Sequence, residues 1–243
     1  MSLPRRDLGR ALLIGVLGVA ASNYFYYLAI QKTNVATAII LQYTAPVWVL
    51  LYMVARRLQR ATAQRMMSIG LALLGIALVI NVFGGAGLRI NRIGVMGAML
   101  ASLSFAFYNI FGGQLVQKHD RWKALIYVLL GAALFWAILN PPWRIVAAHY
   151  SAAQWWFLLI FALTSILLPF SLYFSGLQQL DPTRAIVTSC LEPVFSIVLA
   201  AITLGEVLGP RQVIGMALVL GATLLVQMPD RQGRTAVVVE PME

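Results

Sequence analysis

Residues 181–206 read DPTRAIVTSCLEPVFSIVLAAITLGE, an apolar run long enough to cross a lipid bilayer as a helix. Asp181 followed by Pro182 is typical of a helix start, with Asp as the N-cap and Pro in the first turn. Glu192 comes about ten residues later, which at about 1.5 Å per residue places it roughly 15 Å deep, near the middle of the hydrocarbon layer. Pro193 lacks a backbone donor, so we predict an interrupted helix at this point.

Glu192 is the one acidic residue that this assignment places deep in the bilayer. An ionisable side chain at that depth costs about 2.5–3.5 kcal/mol on insertion scales and by default indicates a functional site. Two roles are compatible with the sequence. Glu192 is either a cavity carboxylate that binds a cationic group or a proton, or a structural acid bonded to backbone groups that Pro193 frees.

A second Pro-interrupted stretch lies earlier in the chain. Superposing Pro46 on Pro193, an offset of 147 residues, aligns Tyr26 with Tyr173 and places Ala45 at the position of Glu192. Gln31 then falls on Gln178, Ala38 on Ala185 and Val47 on Val194. Interrupted helices at corresponding positions of two halves predict an internal repeat, with a binding site where the halves meet.

The composition is that of a membrane protein. Of the 243 residues, 60% are hydrophobic and 11% charged, against about 25% charged in soluble domains. The mean hydropathy is +0.82, and we therefore predict an all-α polytopic membrane protein in contact with a lipid bilayer. The net charge of +10 does not indicate nucleic acid, because Lys and Arg lie in short loops between apolar runs, as topology signals do.

Eight membrane-spanning helices are predicted. They cover residues 9–30, 34–55, 65–83, 93–116, 123–140, 154–180, 183–204 and 210–228. The polar stretch 229–243 is predicted to be a disordered cytoplasmic tail.

The distribution of Lys and Arg predicts the orientation. An even number of spans puts both termini on one side, which carries thirteen of the 18 basic residues, against five on the other side. The thirteen are Arg5, Arg6, Arg10, Arg56, Arg57, Arg60, Arg65, Lys118, Arg121, Lys123, Arg184, Arg231 and Arg234. Both termini are therefore expected in the cytoplasm. The expected location is the cell membrane, of the bacterial inner-membrane type, which the chain crosses several times. Spans 34–55 and 183–204 then run in opposite directions, which indicates an inverted repeat, an architecture of secondary transporters.

Two long stretches resemble a known family. NYFYYLAIQKTNVATAIILQYTAPVWVLL (23–51) resembles the third and fourth helices of the first repeat in EamA-type members of the drug/metabolite transporter superfamily. Residues 171–225 resemble the last three helices of the second repeat. The runs LEPVF (191–195) and LGEVL (204–208) are the most specific pieces, and the likeness extends over nearly all of residues 9–228.

The resemblance implies two inverted five-helix repeats with both ends cytoplasmic. Residues 1–88 then form an incomplete first repeat of three helices, in which helices one and two of the ten-helix pattern are absent, and residues 89–228 form the second repeat. The implied function is a secondary transporter that exports a small metabolite, amino acid or drug-like compound by alternating access. The alternative is a truncated, non-transporting remnant, or a subunit that needs a second protomer in a homodimer.

Candidate cavity residues combine a polar or aromatic side chain with a place inside a predicted span. Tyr24 and Tyr27 are expected to share a helix face while Tyr26 points elsewhere, and Ser104 and Tyr108 are spaced i, i+4. The candidate substrate-cavity set is Glu192, Asn23, Tyr27, Gln42, Tyr43, Ser104, Tyr108, Ser165 and Tyr173, with helix breaks at Pro46, Pro169 and Pro193.

The sequence lacks the residues that other functional classes require. An intramembrane enzyme needs paired acids, a Ser with a base or a metal cluster, and Glu192 has no second carboxylate or His within the spans. His119 and His149 fall at loops on opposite sides, so neither a metal site nor a cofactor is expected. No G-x-x-x-x-G-K-[ST] motif is present, so a gradient is the expected driving force. The Gly and Ala residues of 68–77 and 215–222 predict close helix packing.

Overall fold

The computed structural model describes residues 3–82, 88, 90–205 and 207–229. Its long helices are α1 (Arg5–Lys32), α2 (Val35–Ala55), α3 (Ala63–Val79), α4 (Arg92–Lys118), α5 (Arg121–Leu139), α6 (Ala152–Gln179), α7 (Pro182–Leu204) and α8 (Pro210–Gln227). A six-residue helix, Pro142–Ala147, connects α5 and α6.

Each predicted span corresponds to one of these helices, with ends displaced by a few residues. Seven of them are long and apolar enough to cross a bilayer, and α3 is an apolar helix of 17 residues. The described residues contain no strand. The predicted all-α polytopic membrane fold is therefore confirmed.

Parts of three predictions lie outside the described residues. These are the junction of the two repeats at 83–87 and 89, Glu206 in the LGEVL run, and residues 230–243 of the tail. The division at residues 88 and 89 stays a prediction.

Polar side chains start most of the helices. Asp181 accepts a hydrogen bond from the backbone N–H of Arg184 at 3.0 Å, and Pro182 occupies the first turn of α7, as expected for an N-cap followed by Pro. Equivalent caps are formed by Asn34, Thr62, Asn91, Asp120 and Ser151.

Both α2 and α7 are interrupted in the middle. In α2 the helix stops at Gln42 and restarts at Ala45, and in α7 it stops at Ser189 and restarts at Glu192. Pro46 and Pro193 cause this, because a proline nitrogen cannot donate to the carbonyl four residues earlier, which belongs to Gln42 or Ser189. The two breaks occupy equivalent positions at the offset of 147.

Side-chain hydroxyls stabilise the break in α2. Thr44 donates to the carbonyl of Leu41 at 2.6 Å, which satisfies a backbone acceptor at the end of the first half. The same hydroxyl lies 2.9 Å from the hydroxyl of Ser102 on α4. This contact connects the interrupted part of α2 to α4.

The prediction of a helix break at Pro169 is wrong. Helix α6 continues through Pro169, and a π-helical segment, Leu163–Leu167, precedes it directly. The wider π turn shifts the carbonyls that Pro169 would otherwise meet, so the chain accommodates the ring without ending the helix. A second π-helical segment, Ile14–Ala20, lies within α1.

Helix α4 is the centre of the bundle and packs against α1, α2, α6 and α7. Helices α3 and α8 form a close pair through glycines, as the sequence predicts. A Cβ on Gly215 would lie 2.6 Å from the carbonyl oxygen of Gly75, and a Cβ on Gly75 would lie 2.8 Å from that of Gly215. The absence of side chains lets these two backbones touch.

Helix α6 differs from the others in how little of it is packed. Only 6% of its apolar window is buried, against 50% for α4. Its first segment, Ala152–Ala162, contains no buried residue. This half of α6 therefore presents its apolar side chains to the surroundings on every side.

Candidate substrate cavity

A cavity of about 1430 Å³ lies between α1, α2, α4, α6 and α7. Ligand pockets for small molecules are typically about 300–1,000 Å³ with mainly apolar walls and a few polar groups. This cavity has room for such a molecule. Its walls are mainly aliphatic and aromatic, and the polar groups come from both interrupted helices.

The breaks of the two interrupted helices meet at the cavity wall. The hydroxyl of Tyr43 donates a hydrogen bond to Oε2 of Glu192 at 2.9 Å. Tyr43 is the C-cap residue directly after the first half of α2, and Glu192 is the first residue of the second half of α7. Tyr43 is buried, whereas Glu192 is exposed within the cavity lining.

Glu192 lies in the first turn of the second half of α7. The first four N–H groups of a helix have no partner within it, and the helix dipole is positive there. Tyr43 supplies the only hydrogen bond that the Glu192 side chain makes among the described residues, and no described cation lies within ion-pair distance. The alternative role of Glu192, bonding to backbone groups that Pro193 frees, corresponds to no hydrogen bond in the described part of the chain.

Two tyrosines form an aromatic wall. The rings of Tyr108 and Tyr173 stack with centroids 5.5 Å apart and planes 20° apart. The hydroxyl of Tyr173 donates to Oδ1 of Asn109, and Nδ2 of Asn109 donates to the carbonyl of Phe105 at 2.9 Å. The fully buried Asn109 thus fixes the orientation of Tyr173.

The hydroxyl of Tyr108 is in a different situation. Tyr108 is 4% exposed and lines the cavity, and its hydroxyl has no hydrogen-bond partner in the described part of the chain. A buried donor of this kind is stabilised by any acceptor that enters the cavity.

Eight of the nine candidate residues line the cavity. They are Asn23, Tyr27, Gln42, Tyr43, Tyr108, Ser165, Tyr173 and Glu192. Neither the Asn23 nor the Gln42 amide has a hydrogen-bond partner among the described residues, so both remain available to a bound molecule. Pro169 and Pro193 also line the cavity, and Pro46 does not.

Ser104 is the exception. It is half-buried and absent from the described lining, where α4 contributes Phe105 and Tyr108 one turn apart. At about 100° per residue, Ser104 lies roughly 40° to one side of Tyr108 around α4, and Phe105 lies roughly 60° to the other side. The cavity meets the side of α4 that holds Tyr108 and Phe105, so Ser104 is turned away from it.

The predicted face of α1 is also corrected. Tyr24 does not share the cavity face with Tyr27 but packs edge-on against Phe135 of α5, with ring centroids 6.0 Å apart. Tyr26 and Tyr27 both line the cavity. At 3.6 residues per turn, the lining residues of α1 span about half of its circumference, and Tyr24 lies beyond that arc.

Sequence reasoning missed several polar lining residues. They include Ser22, Tyr26, Thr188, Ser189 and Ser196. The repeat offset contains a signal for two of them. Tyr26 aligns with the candidate Tyr173, and Ser189 aligns with the candidate Gln42.

The sequence profile of the EamA-like transporter family matches residues 1–81 and 92–228. The chain is 25% identical over 230 residues to "Uncharacterized inner membrane transporter YicL" of Salmonella typhimurium, covering 94% of this chain and 76% of that protein. It is 28% identical over 225 residues to an "Uncharacterized transporter" of Archaeoglobus fulgidus, covering 90% and 78%. It is 27% identical over 217 residues to the "Threonine/homoserine exporter RhtA" of Escherichia coli K12, covering 88% and 69%.

A solved crystal structure shares the fold. It superposes with a TM-score of 0.73 at 17% sequence identity, covering 89% of this chain and 75% of the other. The chain belongs to the EamA-like transporter family and is an integral multi-pass membrane protein.

Proposed function

We propose that this protein is a secondary transporter that exports a small metabolite, amino acid or drug-like compound by alternating access. One observation carries the proposal: the two interrupted helices meet through Tyr43 and Glu192 at the wall of a 1430 Å³ cavity. Transporters built on inverted repeats bind substrate near the bilayer midplane, where discontinuous helices from the two halves meet.

The interruptions support this role on energetic grounds. Irregular backbone is tolerated at membrane depth only where it is buried in protein or lines a cavity. The break in α7 places Ser189 and Glu192 in the cavity lining, and the break in α2 places Gln42 and Tyr43 there. Each break therefore directs polar groups toward a bound solute.

The arrangement of the helix ends supports the proposed cytoplasmic termini. Asp7 near the start of α1 lies 2.9 Å from His119 after the end of α4, and Arg65 of α3 lies 3.7 Å from Asp181 at the start of α7. These ends belong to the side that carries most of the basic residues. The positive-inside rule assigns this side of the cell membrane to the cytoplasm.

An efflux assay tests the proposal. Cells that overexpress the protein are loaded with a panel of amino acids, amines and dye-like compounds, and the loss of each solute is followed by mass spectrometry. We expect at least one solute to leave faster than from cells with an empty vector, and Glu192→Ala to abolish the difference. Asp120→Asn is the matched control, because Asn caps a helix as well as Asp does. Equal loss of every solute from both cell types contradicts the proposal.

The alternative, a subunit that needs a second protomer, is favoured by α6. Its segment Ala152–Ala162 has no buried residue in the single chain. A second copy of the chain packed against this segment would bury its apolar side chains. Cysteine cross-linking in membranes distinguishes the two functions. In a Cys190→Ala background, Trp156→Cys is expected to cross-link between copies if this half of α6 forms a homodimer contact, and to stay monomeric if it faces lipid.

A further inference from the structure

We propose that the cavity selects solutes with a single positive charge, binding an organic ammonium at Glu192 and an uncharged hydrogen-bond acceptor at the hydroxyl of Tyr108. This inference rests on the transport function proposed above and names the substrate class of the same cavity.

The charge of the lining is the first argument. Glu192 is the only charged side chain among the described residues that line the cavity, which include no Lys, Arg or His. None of the ion pairs of the described chain involves Glu192. Charges within a membrane-spanning bundle are normally paired, so the missing counter-charge is expected to come from the solute.

The geometry of the carboxylate is the second argument. Tyr43 occupies one position on Oε2 at 2.9 Å, and an ionised carboxylate offers about four acceptor positions. The remaining positions belong to a side chain that is exposed in the cavity. An ammonium donates charge-assisted hydrogen bonds to such a group, while Tyr43 keeps the carboxylate in place.

The aromatic walls suit the rest of such a solute. Tyr26 and Tyr27 line the cavity from α1, and Phe105 and Phe170 line it from α4 and α6. Aromatic faces attract organic cations and pack against apolar bodies.

Tyr108 supplies the second contact point. Its hydroxyl is buried without a partner, at a position where the ring is held by stacking on Tyr173. A solute that accepts a hydrogen bond there removes an unsatisfied buried donor. A carboxylate on the solute is disfavoured, because no described lining residue supplies a positive charge to balance it.

A matched series of four probes tests the charge preference. Purified protein in lipid nanodiscs is titrated with phenylalanine methyl ester, phenylalanine, N-acetylphenylalanine and N-acetylphenylalanine methyl ester at about pH 6, below the ordinary range of an α-amino pKa. These probes are respectively cationic, zwitterionic, anionic and neutral around one aromatic body. We expect the cationic ester to bind at least about ten-fold more tightly than the other three, since one charge-assisted hydrogen bond accounts for that ratio. Tighter binding of the zwitterion overturns the proposal.

Two variants assign the contacts. Glu192→Gln keeps an acceptor for Tyr43 but loses the charge, so binding of the cationic ester is expected to fall about ten-fold while that of the neutral ester is unchanged. Tyr108→Phe is expected to weaken the cationic ester several-fold and to leave phenethylamine, which lacks the ester acceptor, unaffected. Asp120→Asn and Tyr24→Phe are the matched controls, because neither residue lines the cavity.

The outcomes separate this inference from the proposed function. Binding of the cationic ester without export supports the site and contradicts the exporter. Export of zwitterions together with unchanged ester binding in Glu192→Gln supports the exporter and overturns the site, and it reassigns Glu192 to proton binding. If Glu192→Gln does not elute as a single species on size exclusion, the charge preference is tested with Glu192→Asp and with the four-probe series on the unaltered protein.

Discussion

Tyr43 and Glu192, 149 residues apart in the chain, are joined by a 2.9 Å hydrogen bond at the breaks of the two interrupted helices. The breaks are equivalent in position but not in chemistry. At the repeat offset Glu192 aligns with Ala45, and Tyr43 aligns with Cys190, which is fully buried. One half therefore contributes the acid and the other its hydrogen-bond donor, which gives the cavity a single charged position.

Replacement of Tyr43 by Phe is expected to lower export of the transported solute about ten-fold. The variant keeps the ring but removes the donor, and a hydrogen bond to a charged group is worth about 1.5 kcal/mol or more. Initial efflux rates at several solute concentrations provide the measurement. Tyr24→Phe is the control, because Tyr24 packs against α5 outside the cavity. Equal losses in the two variants would show that the bond does not matter for transport.

The proposed orientation predicts which introduced cysteines react from outside the cell. Cys190 is fully buried, so the unaltered chain provides a low background. Tyr150→Cys, beyond the short helix between α5 and α6, is expected to react with a membrane-impermeant maleimide in intact cells. Lys118→Cys, at the end of α4, is expected to react only after the cells are opened. The reverse pattern would place the termini outside.

The fold was predictable because hydrophobicity, prolines and charges act locally in a membrane. Apolar length alone located eight helices, and the position of proline located the breaks at Pro46 and Pro193. The same rule failed at Pro169, since a π-helical segment precedes this proline and lets the helix continue through it. The apolar sequence before Pro169 has no feature that predicts a π turn.

Part of the site was predictable from the rule that polar side chains within membrane spans face the interior of the helix bundle. That rule placed Asn23, Gln42 and Glu192 in one cavity. It did not indicate the bond between Tyr43 and Glu192, because pairing across distant helices depends on how the bundle closes. It also missed Asn109, which lies outside the lining and acts on the cavity by holding Tyr173.

Glycine at position 215 is expected to be essential for the contact between α3 and α8. A Cβ there would lie 2.6 Å from the carbonyl oxygen of Gly75 and 2.7 Å from the backbone nitrogen of Val79, so Gly215→Ala forces the backbones apart. Overpacking of this kind costs about 1–3 kcal/mol. Thermal inactivation in detergent measures the loss. Gly221→Ala on the same helix has no atom within 4 Å of its new Cβ and is expected to be neutral or stabilising.

Asn109 and Tyr173 are expected to be coupled in stability. Asn109→Leu removes the acceptor of the half-buried Tyr173 hydroxyl, and the loss of such a hydrogen bond costs about 0.5–1.5 kcal/mol. Tyr173→Phe alone leaves Asn109 with only the carbonyl of Phe105 as partner.

The double variant Asn109→Leu with Tyr173→Phe removes both polar partners together and is expected to recover most of that loss, because replacing both members of a hydrogen-bonded pair by apolar groups is nearly neutral. Thermal unfolding of the four proteins gives the coupling energy directly. Export assays on the same four proteins separate an effect on stability from an effect on transport. The double variant is expected to be stable but slow, since the ring at position 173 then stacks on Tyr108 without the hydrogen bond that orients it. Additive losses in stability would mean that Asn109 acts on the bundle through Phe105 rather than through Tyr173.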